Sequence, residues 1–472
     1  MNVSTVEAPA TAGTVPPGTA GAAGPAAGSA VVSPADSTTA PTTSTTGRRR
    51  LLPVSGKRPG PVAVTLLFSL GWVFMYADRN ILSPVMSVIQ DQWGLNKGQL
   101  GLMSTVFFIT YALMQIPTGY LADRISRVKV VVAGYVVFGI GTILSGFAPG
   151  FMVFLLMRAF TGIGEGTFYS PVYGISSSYI SDRWRGVSAA LINSGMAVGI
   201  SLGFIGSGYF TFTLGLPWHA SFLIFGAATL IVAFLINYYL SPIDAEHKAL
   251  ASEATDDGGA PAAKVSNKAL FTRNHILTYV LIFCSLYGFF SMLTWLPTYL
   301  QQARGVAPAQ TGIIASLVPW ASIPGAILLS MWARRLKNTR PLIVVLSVLG
   351  GLCQILVPMT GNYSLMIAGL VVYGLVGKLA LDPILIAFLA ENTPRSMYST
   401  AYGYFNFAGM LSSIFAPYIT GALADATGAL EAGFYLSAVL LLVGAVAFCF
   451  TTPARVAAQP APAVEPLPQP AA

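Results

Sequence analysis

Six ionisable side chains interrupt otherwise apolar stretches of this 472-residue chain: Asp78, Arg79, Arg158, Glu165, Lys378 and Asp382. Three are cationic and three anionic, so they sum to zero when all are ionised. A charge at the centre of a bilayer costs about 2.5–3.5 kcal/mol on insertion scales, so such groups pair with one another or face water. A guanidinium in that setting presents a planar fork that matches a carboxylate through two parallel hydrogen bonds. A carboxyl beside it can trade an ion pair for a proton. These residue types suit a guanidinium that holds a small carboxylate anion, with proton sites at Asp78 and Glu165 tuned by Arg158. Lys378 and Asp382, four residues apart, leave two readings open: an ion pair that only stabilises helices, or a second cation at the substrate site.

Composition says what surrounds them. Hydrophobic residues make up 54% of the chain and charged residues 9%, against about 25% charged in a soluble domain. Mean hydropathy is +0.68. A soluble protein this apolar cannot cover its own surface with polar groups, which excludes soluble enzymes, nucleic-acid binders and disulfide scaffolds. The net charge of +8 arises from basic residues in short loops and not from a continuous patch, so no nucleic-acid partner is expected. Cys284, Cys353 and Cys449 lie in apolar runs without a paired spacing and read as membrane-buried thiols, neither metal ligands nor disulfides. His219, His247 and His275 fall at loops or helix ends, so no metal and no cofactor are expected. The first 45 residues hold no apolar segment, so no signal peptide is expected.

The elements that must position the charges are twelve apolar runs, each long enough to cross ~30 Å of hydrocarbon as a helix. They lie near 62–85, 99–121, 128–148, 151–174, 186–211, 218–240, 274–300, 309–332, 340–360, 364–390, 396–422 and 430–452. The expected organisation is a disordered cytoplasmic tail (1–60), a six-helix bundle (61–240), a polar cytoplasmic linker (241–273), a second six-helix bundle (274–452) and a Pro/Ala-rich tail (453–472). Of 25 Lys and Arg, 20 fall in the tails or in the loops after spans 2, 4, 6, 8 and 10. Positive residues stay inside, so both termini are expected in the cytoplasm. By this reading Asp78 and Arg158 each lie seven residues from the outer end of their span, ~10 Å deep, where they can pair. Asp78 and Arg79 point about 100° apart, so one is expected to face span 4 and the other the cavity.

The two halves echo each other. Arg185 and Arg395 open spans 5 and 11, and Pro171 and Pro383 recur in spans 4 and 10. A repeat of half the chain is what a two-bundle transporter requires. The loop Gly119-Tyr-Leu-Ala-Asp123-Arg124-Ile-Ser126-Arg127 resembles the signature loop of the major facilitator superfamily, with Ser126 where glycine is usual. Tyr76-Ala-Asp78-Arg79, Tyr111 to Gln115, Arg158 to Glu165, Asn193-Ser-Gly195 and Thr294-Trp295-Leu-Pro297 together resemble the organic anion:cation symporter family within it.

That resemblance implies an all-α membrane protein of twelve transmembrane helices in two six-helix bundles, working by alternating access as a proton-coupled symporter of a small organic carboxylate. It implies Arg79, Tyr76, Tyr111, Gln115, Asn193, Trp295 and Asn406 as substrate contacts, while Lys378, with Asp382, departs from the family pattern and is a candidate contact by its charge alone. Gly119, Asp123, Arg124 and Arg127 take the gating-loop role. The expected partners are an organic anion, protons and the lipid bilayer. The expected place is the bacterial inner membrane, with the monomer as functional unit. Anion or phosphate antiport and drug export are the rival transport modes. Span 5 has no Gly-Pro pair and span 7 no arginine, which counts against both. A membrane solute sensor that moves nothing is the rival of another class.

Overall fold

Apolar runs punctuated by glycine, proline and capping residues give fourteen helices among the described residues. These are α1 (Pro61–Asn80), α2 (Leu82–Trp93), α3 (Lys97–Arg124), α4 (Arg127–Gly146), α5 (Phe151–Glu165), α6 (Asp182–Gly208), α7 (His219–Ala254), α8 (Arg273–Gln302), α9 (Pro308–Ala333), α10 (Arg340–Met359), α11 (Tyr363–Val376), α12 (Lys378–Glu391), α13 (Tyr398–Thr427) and α14 (Glu431–Cys449). The computed structural model describes residues 60–169, 171, 172, 175, 180, 182–254, 270–393 and 397–452, and no strand occurs among them. The expected tails and most of the expected linker lie outside these residues.

Reading α1–α2 and α11–α12 each as one, ten stretches are long and apolar enough to cross a membrane. These ten are counted over the described residues alone. The expected spans 2 and 4 correspond to α3, part of whose side chains lie outside the described residues, and α5, which runs into residues that are not described.

Span 1 is longer than expected. It runs Pro61–Trp93 rather than ending near 85. Asp78 is therefore about 22 Å from that end at 1.5 Å per residue, not ~10 Å, which puts it close to mid-helix. The bend at Ile81 has a covalent cause: Pro84 lacks the amide that would bond the Asn80 carbonyl. Ser207 of α6 donates to the Ile81 carbonyl at 2.6 Å, and Asn80 Nδ2 donates to the Tyr76 carbonyl at 2.6 Å.

The internal repeat is written into the turns. Gly94, between α2 and α3, has φ +62°, and Gly305, between α8 and α9, has φ +61°. Side chains rarely adopt that left-handed conformation, so glycine is required at both. Gly215 and Gly428 form a second such pair, at φ +67° and +77°. Ser126 is different. It is extended, and its Oγ accepts from Lys129 N at 3.1 Å as the N-cap of α4, so a serine serves where the resemblance leads one to expect glycine.

Glycines also set how closely helices approach. Gly195, Gly199 and Gly203 lie along α6, and a Cβ on any of them would collide with the Ser69, Val73 or Ala77 carbonyl of α1. Gly162 and Gly166 stand in the same relation to the Phe107 and Tyr111 carbonyls of α3. Such small-residue stripes let backbones pack closely without a hydrophobic driving force. They fix the rotation of α1 and α5, and hence where Asp78, Arg79, Arg158 and Glu165 point.

Helices α1–α7 meet α8–α14 at the end of the bundle that carries Gly94. Asp425 of α13 accepts from Lys97 N at 2.9 Å and Gly98 N at 2.7 Å, two amides that the start of α3 leaves without helical partners. Gln301 of α8 accepts from Ser87 Oγ at 2.5 Å and donates to the Pro84 carbonyl at 3.0 Å. Gly101 packs on the Pro417 backbone, and Gly312 packs on that of Phe204. Further toward the Ser126 end, Gln115 and Asn406 make a hydrogen bond between the two sets of helices.

Hydrogen bonds to a charged group contribute about 1.5–3 kcal/mol, and ~1.4 kcal/mol is tenfold in an equilibrium. Asp425→Ala is therefore expected to favour opening of the Gly94 end by about tenfold or more. The measurement is maleimide labelling of Ser104→Cys, in a background with Cys284, Cys353 and Cys449 replaced. An unchanged labelling rate would remove Asp425 as a latch.

Candidate substrate site

Near the middle of the bundle, α1 delivers two consecutive charges and α5 delivers two more, seven residues apart on one face. Arg79 Nε lies 2.5 Å from Glu165 Oε2. Arg158 Nη1 lies 3.8 Å from Asp78 Oδ2. All four residues are buried, from 8% exposed at Arg79 to 0% at Asp78 and Glu165. Both consecutive residues of α1 thus reach α5. Asp78 faces the span-4 helix, as expected of one of the two, and Arg79 both reaches Glu165 and lines a chamber between the helices, because Arg158 and Glu165 are spaced to meet two adjacent side chains of α1.

The Arg79 guanidinium is held by aromatic faces. Its Cζ lies 4.4 Å from the Tyr111 ring centroid and 4.8 Å from that of Tyr76, which stacks on Trp72 at 5.1 Å. Arg158 Cζ lies 4.8 Å from the Phe107 ring. Cation–π contacts of this kind contribute ~2 kcal/mol when desolvated and hold the guanidinium plane in place. Arg79 Nη2, Glu165 Oε1, both Asp78 carboxylate oxygens and Arg158 Nε and Nη1 are buried without a hydrogen-bond partner among the described residues. Buried polar groups are normally satisfied, so this cluster has capacity reserved for a ligand, water or a proton.

The other expected residues divide. Asn406 Nδ2 donates to Gln115 Oε1 at 3.4 Å across the two sets of helices, and both side chains are part-buried. Lys378 Nζ lies 2.8 Å from Asp382 Oδ2 and 5.3 Å from the Phe289 ring. Trp295 is 0% exposed, and its indole donates to the Pro417 carbonyl at 3.0 Å. The expected substrate contact is therefore committed to α8–α13 packing, because the rotation of α8 turns the ring toward α13. The side chains of Asn193, Asp123 and Arg124, and the surroundings of Gly119, lie outside the described residues, whereas Arg127 is half-buried as the first residue of α4.

Sequence reading missed part of the lining. A small chamber on the Gly94 side of Arg79 is bounded by Asn80, Ser83, Ser104, Phe107, Phe108 and Arg158 of α1–α7, and by Phe290, Leu293 and Thr294 of α8. Asn80 follows the Asp-Arg pair directly and was open to detection. Ser83, Ser104 and Thr294 carry no signal that separates them from serines and threonines elsewhere in the spans. Cys284 and Cys353 are buried within the protein, and Cys449 lies on the outer face of α14. No cluster of metal-ligating side chains occurs among the described residues.

The model of the Major Facilitator Superfamily matches residues 68–417 and 302–471. The chain belongs to that superfamily. Its fold is the major facilitator fold, it is an integral membrane protein, and the family consists of transporters rather than enzymes. A bacterial homolog of the human lysosomal transporter Spinster, solved in an inward-facing and unoccupied conformation, superposes with a TM-score of 0.68 at 17% identity, over 83% of this chain and 97% of that one. The D-galactonate transporter of Escherichia coli is 28% identical over 84% of this chain and 97% of its own length. The probable sulfoacetate transporter SauU of Cupriavidus necator is 27% identical over 81% of this chain and 92% of its own length. The probable galactarate/D-glucarate transporter GudP of Bacillus subtilis is 25% identical over 75% and 83%. The relatives are organic-anion transporters, as the motif residues imply.

Proposed function

We propose that this superfamily member takes up a small organic carboxylate together with protons across a bacterial inner membrane, as a monomer, by alternating access. The observation that carries the reading is the buried Arg79–Glu165 pair, with the guanidinium against Tyr76 and Tyr111 and its Nη2 without a hydrogen-bond partner among the described residues. An incoming carboxylate competes with Glu165 for the same guanidinium. A proton on Glu165 removes the competitor and balances the added charge, so anion and proton favour one another's binding. Asp78 is the second proton site. Its carboxylate is 0% exposed and lies 3.8 Å from Arg158.

Tyr76, Tyr111, Gln115, Asn406 and Asn193 complete the substrate contacts in this reading, and Gly119, Asp123, Arg124 and Arg127 form the gating loop. The excess of Lys and Arg in the loops after even-numbered spans puts both termini and the Ser126 end in the cytoplasm. The Gly94 end, joined through Asp425 and Gln301, is then the external gate. Relatives named for sulfoacetate, D-galactonate and galactarate/D-glucarate support a small, polar acid as substrate.

The test is uptake by the purified chain in proteoliposomes, with a panel of sugar acids, keto acids and aromatic acids under an imposed inward proton gradient. At least one acid should accumulate several-fold above its equilibrium level and lose that accumulation when a protonophore is added. Binding without uptake of any acid would favour a sensor. Uptake indifferent to the protonophore would favour a different coupling mode.

A further inference from the structure

Lys378 and Asp382 are half-buried charges that the coupling scheme leaves idle. The other two ion pairs each join α1 to α5 and so contribute to helix assembly. The 2.8 Å pair of Lys378 and Asp382 lies within α12, four residues apart, so the ion pair itself joins no two helices, although Lys378 also meets the Phe289 ring of α8. Pairs at that spacing contribute about 0.3–0.5 kcal/mol on an open helix surface, far less than the ~2.5–3.5 kcal/mol that insertion of one charge costs. Helix stabilisation alone does not account for them.

Their surroundings suggest a use. Lys378 is the first residue of α12, after the chain breaks at Gly377. Gly377 offers no side-chain cap, and the first amides of α12 face the break as the positive end of a helix dipole. One Lys378 N–H is taken by Asp382, and an ammonium has three. Asp382 Oδ1 is buried and accepts no hydrogen bond among the described residues.

The cation also shares an aromatic wall with Arg79. Lys378 Nζ lies 5.3 Å from the Phe289 ring, Phe289 5.6 Å from Phe290, Phe290 4.9 Å from Phe108, and Phe108 6.0 Å from Arg79 Cζ. One cation belongs to α1–α7 and the other to α8–α14, on opposite sides of the plane along which the two sets of helices must move.

We propose that Lys378 binds a second acidic group of the substrate, so that the transported species is a dianion spanning Arg79 and Lys378, with a hydroxyl beside that group donating to Asp382 Oδ1. A hydroxylated dicarboxylate fits this description. The inference rests on the Arg79 reading above and adds a second anchor to it. A substrate gripped by both sets of helices also gives a physical reason for closure around it, since each end is satisfied only when both cations reach it.

The test compares D-gluconate with D-glucarate, which share a six-carbon hydroxylated chain and differ in the second carboxylate, by calorimetric titration of the purified full chain in detergent at one pH. The wild type is expected to bind glucarate at least tenfold more tightly than gluconate. Lys378→Met should bring glucarate down to the gluconate level while gluconate changes by less than twofold, and Lys378→Arg should restore most of the preference. The double variant Lys378→Met/Asp382→Leu leaves no lone buried charge, and it should lose the preference as fully as Lys378→Met does. Wild-type preference for glucarate in the double variant would overturn the proposal and return the pair to a structural role. A wild type that binds gluconate, or another monocarboxylate of the uptake panel, but prefers no dianion would overturn it and leave the Arg79 reading standing. A wild type that binds no acid at all would overturn both.

Discussion

Glu165→Gln is expected to bind and exchange substrate yet accumulate none against a gradient. The amide mimics the protonated carboxyl and holds the site permanently in the form that releases Arg79. The charge arithmetic gives the size of the effect. With Asp78, Arg79, Arg158, Glu165, Lys378 and Asp382 all ionised the interior is neutral, so a bound monocarboxylate leaves it at −1. Moving that charge through a low-dielectric barrier costs several kcal/mol, and ~1.4 kcal/mol is tenfold in rate. A proton taken up with the anion removes the cost, and the glutamine supplies that neutrality without one. Counterflow of substrate across vesicles should therefore survive, while accumulation driven by a pH gradient should fall by tenfold or more. Glutamine can still accept from Arg79 Nε, so folding should be retained. Wild-type accumulation in Glu165→Gln would take Glu165 out of the coupling and leave Asp78 as the site to test.

Arg79→Lys is expected to weaken substrate affinity by about 10- to 100-fold with normal insertion into the membrane. Lysine keeps the charge, so Glu165 is not stranded as a lone buried anion, which would cost about 3–5 kcal/mol. What is lost is the fork. An ammonium cannot pair with Glu165 through one edge and present a second, fixed edge to substrate, as Arg79 does with Nε engaged and Nη2 free among the described residues. It also loses planar stacking between Tyr76 and Tyr111, whose ring centroids lie 4.8 and 4.4 Å from Arg79 Cζ. Lysine keeps part of the charge-assisted hydrogen bond and of the cation–π contact, and the part lost amounts to roughly 1.5–3 kcal/mol. Apparent affinity measured by competition, with surface expression measured in parallel, separates this from misfolding. An unchanged affinity would mean that Arg79 is not the anchor.

Sequence alone determined the class of this protein and the identity of its charged residues. Apolar run length depends only on bilayer thickness and helix rise, so spans were legible, and loop charge set the expected orientation. Six ionisable residues among apolar neighbours stand out because burial makes them expensive, whatever their partners are. Tertiary structure decided the partners. Depth along a helix follows from residue number, but rotation about its axis follows from what the helix packs against. Gly195, Gly199 and Gly203 press α6 onto α1 carbonyls, and Gly162 and Gly166 press α5 onto α3. Those contacts turn both Asp78 and Arg79 toward α5, where a spacing of seven on one face meets two neighbours on another. The same kind of rotation points Trp295 into α13 and away from the substrate site. The break at Gly377, which makes Lys378 a helix start, follows from a backbone conformation between α11 and α12 that no apolar periodicity records.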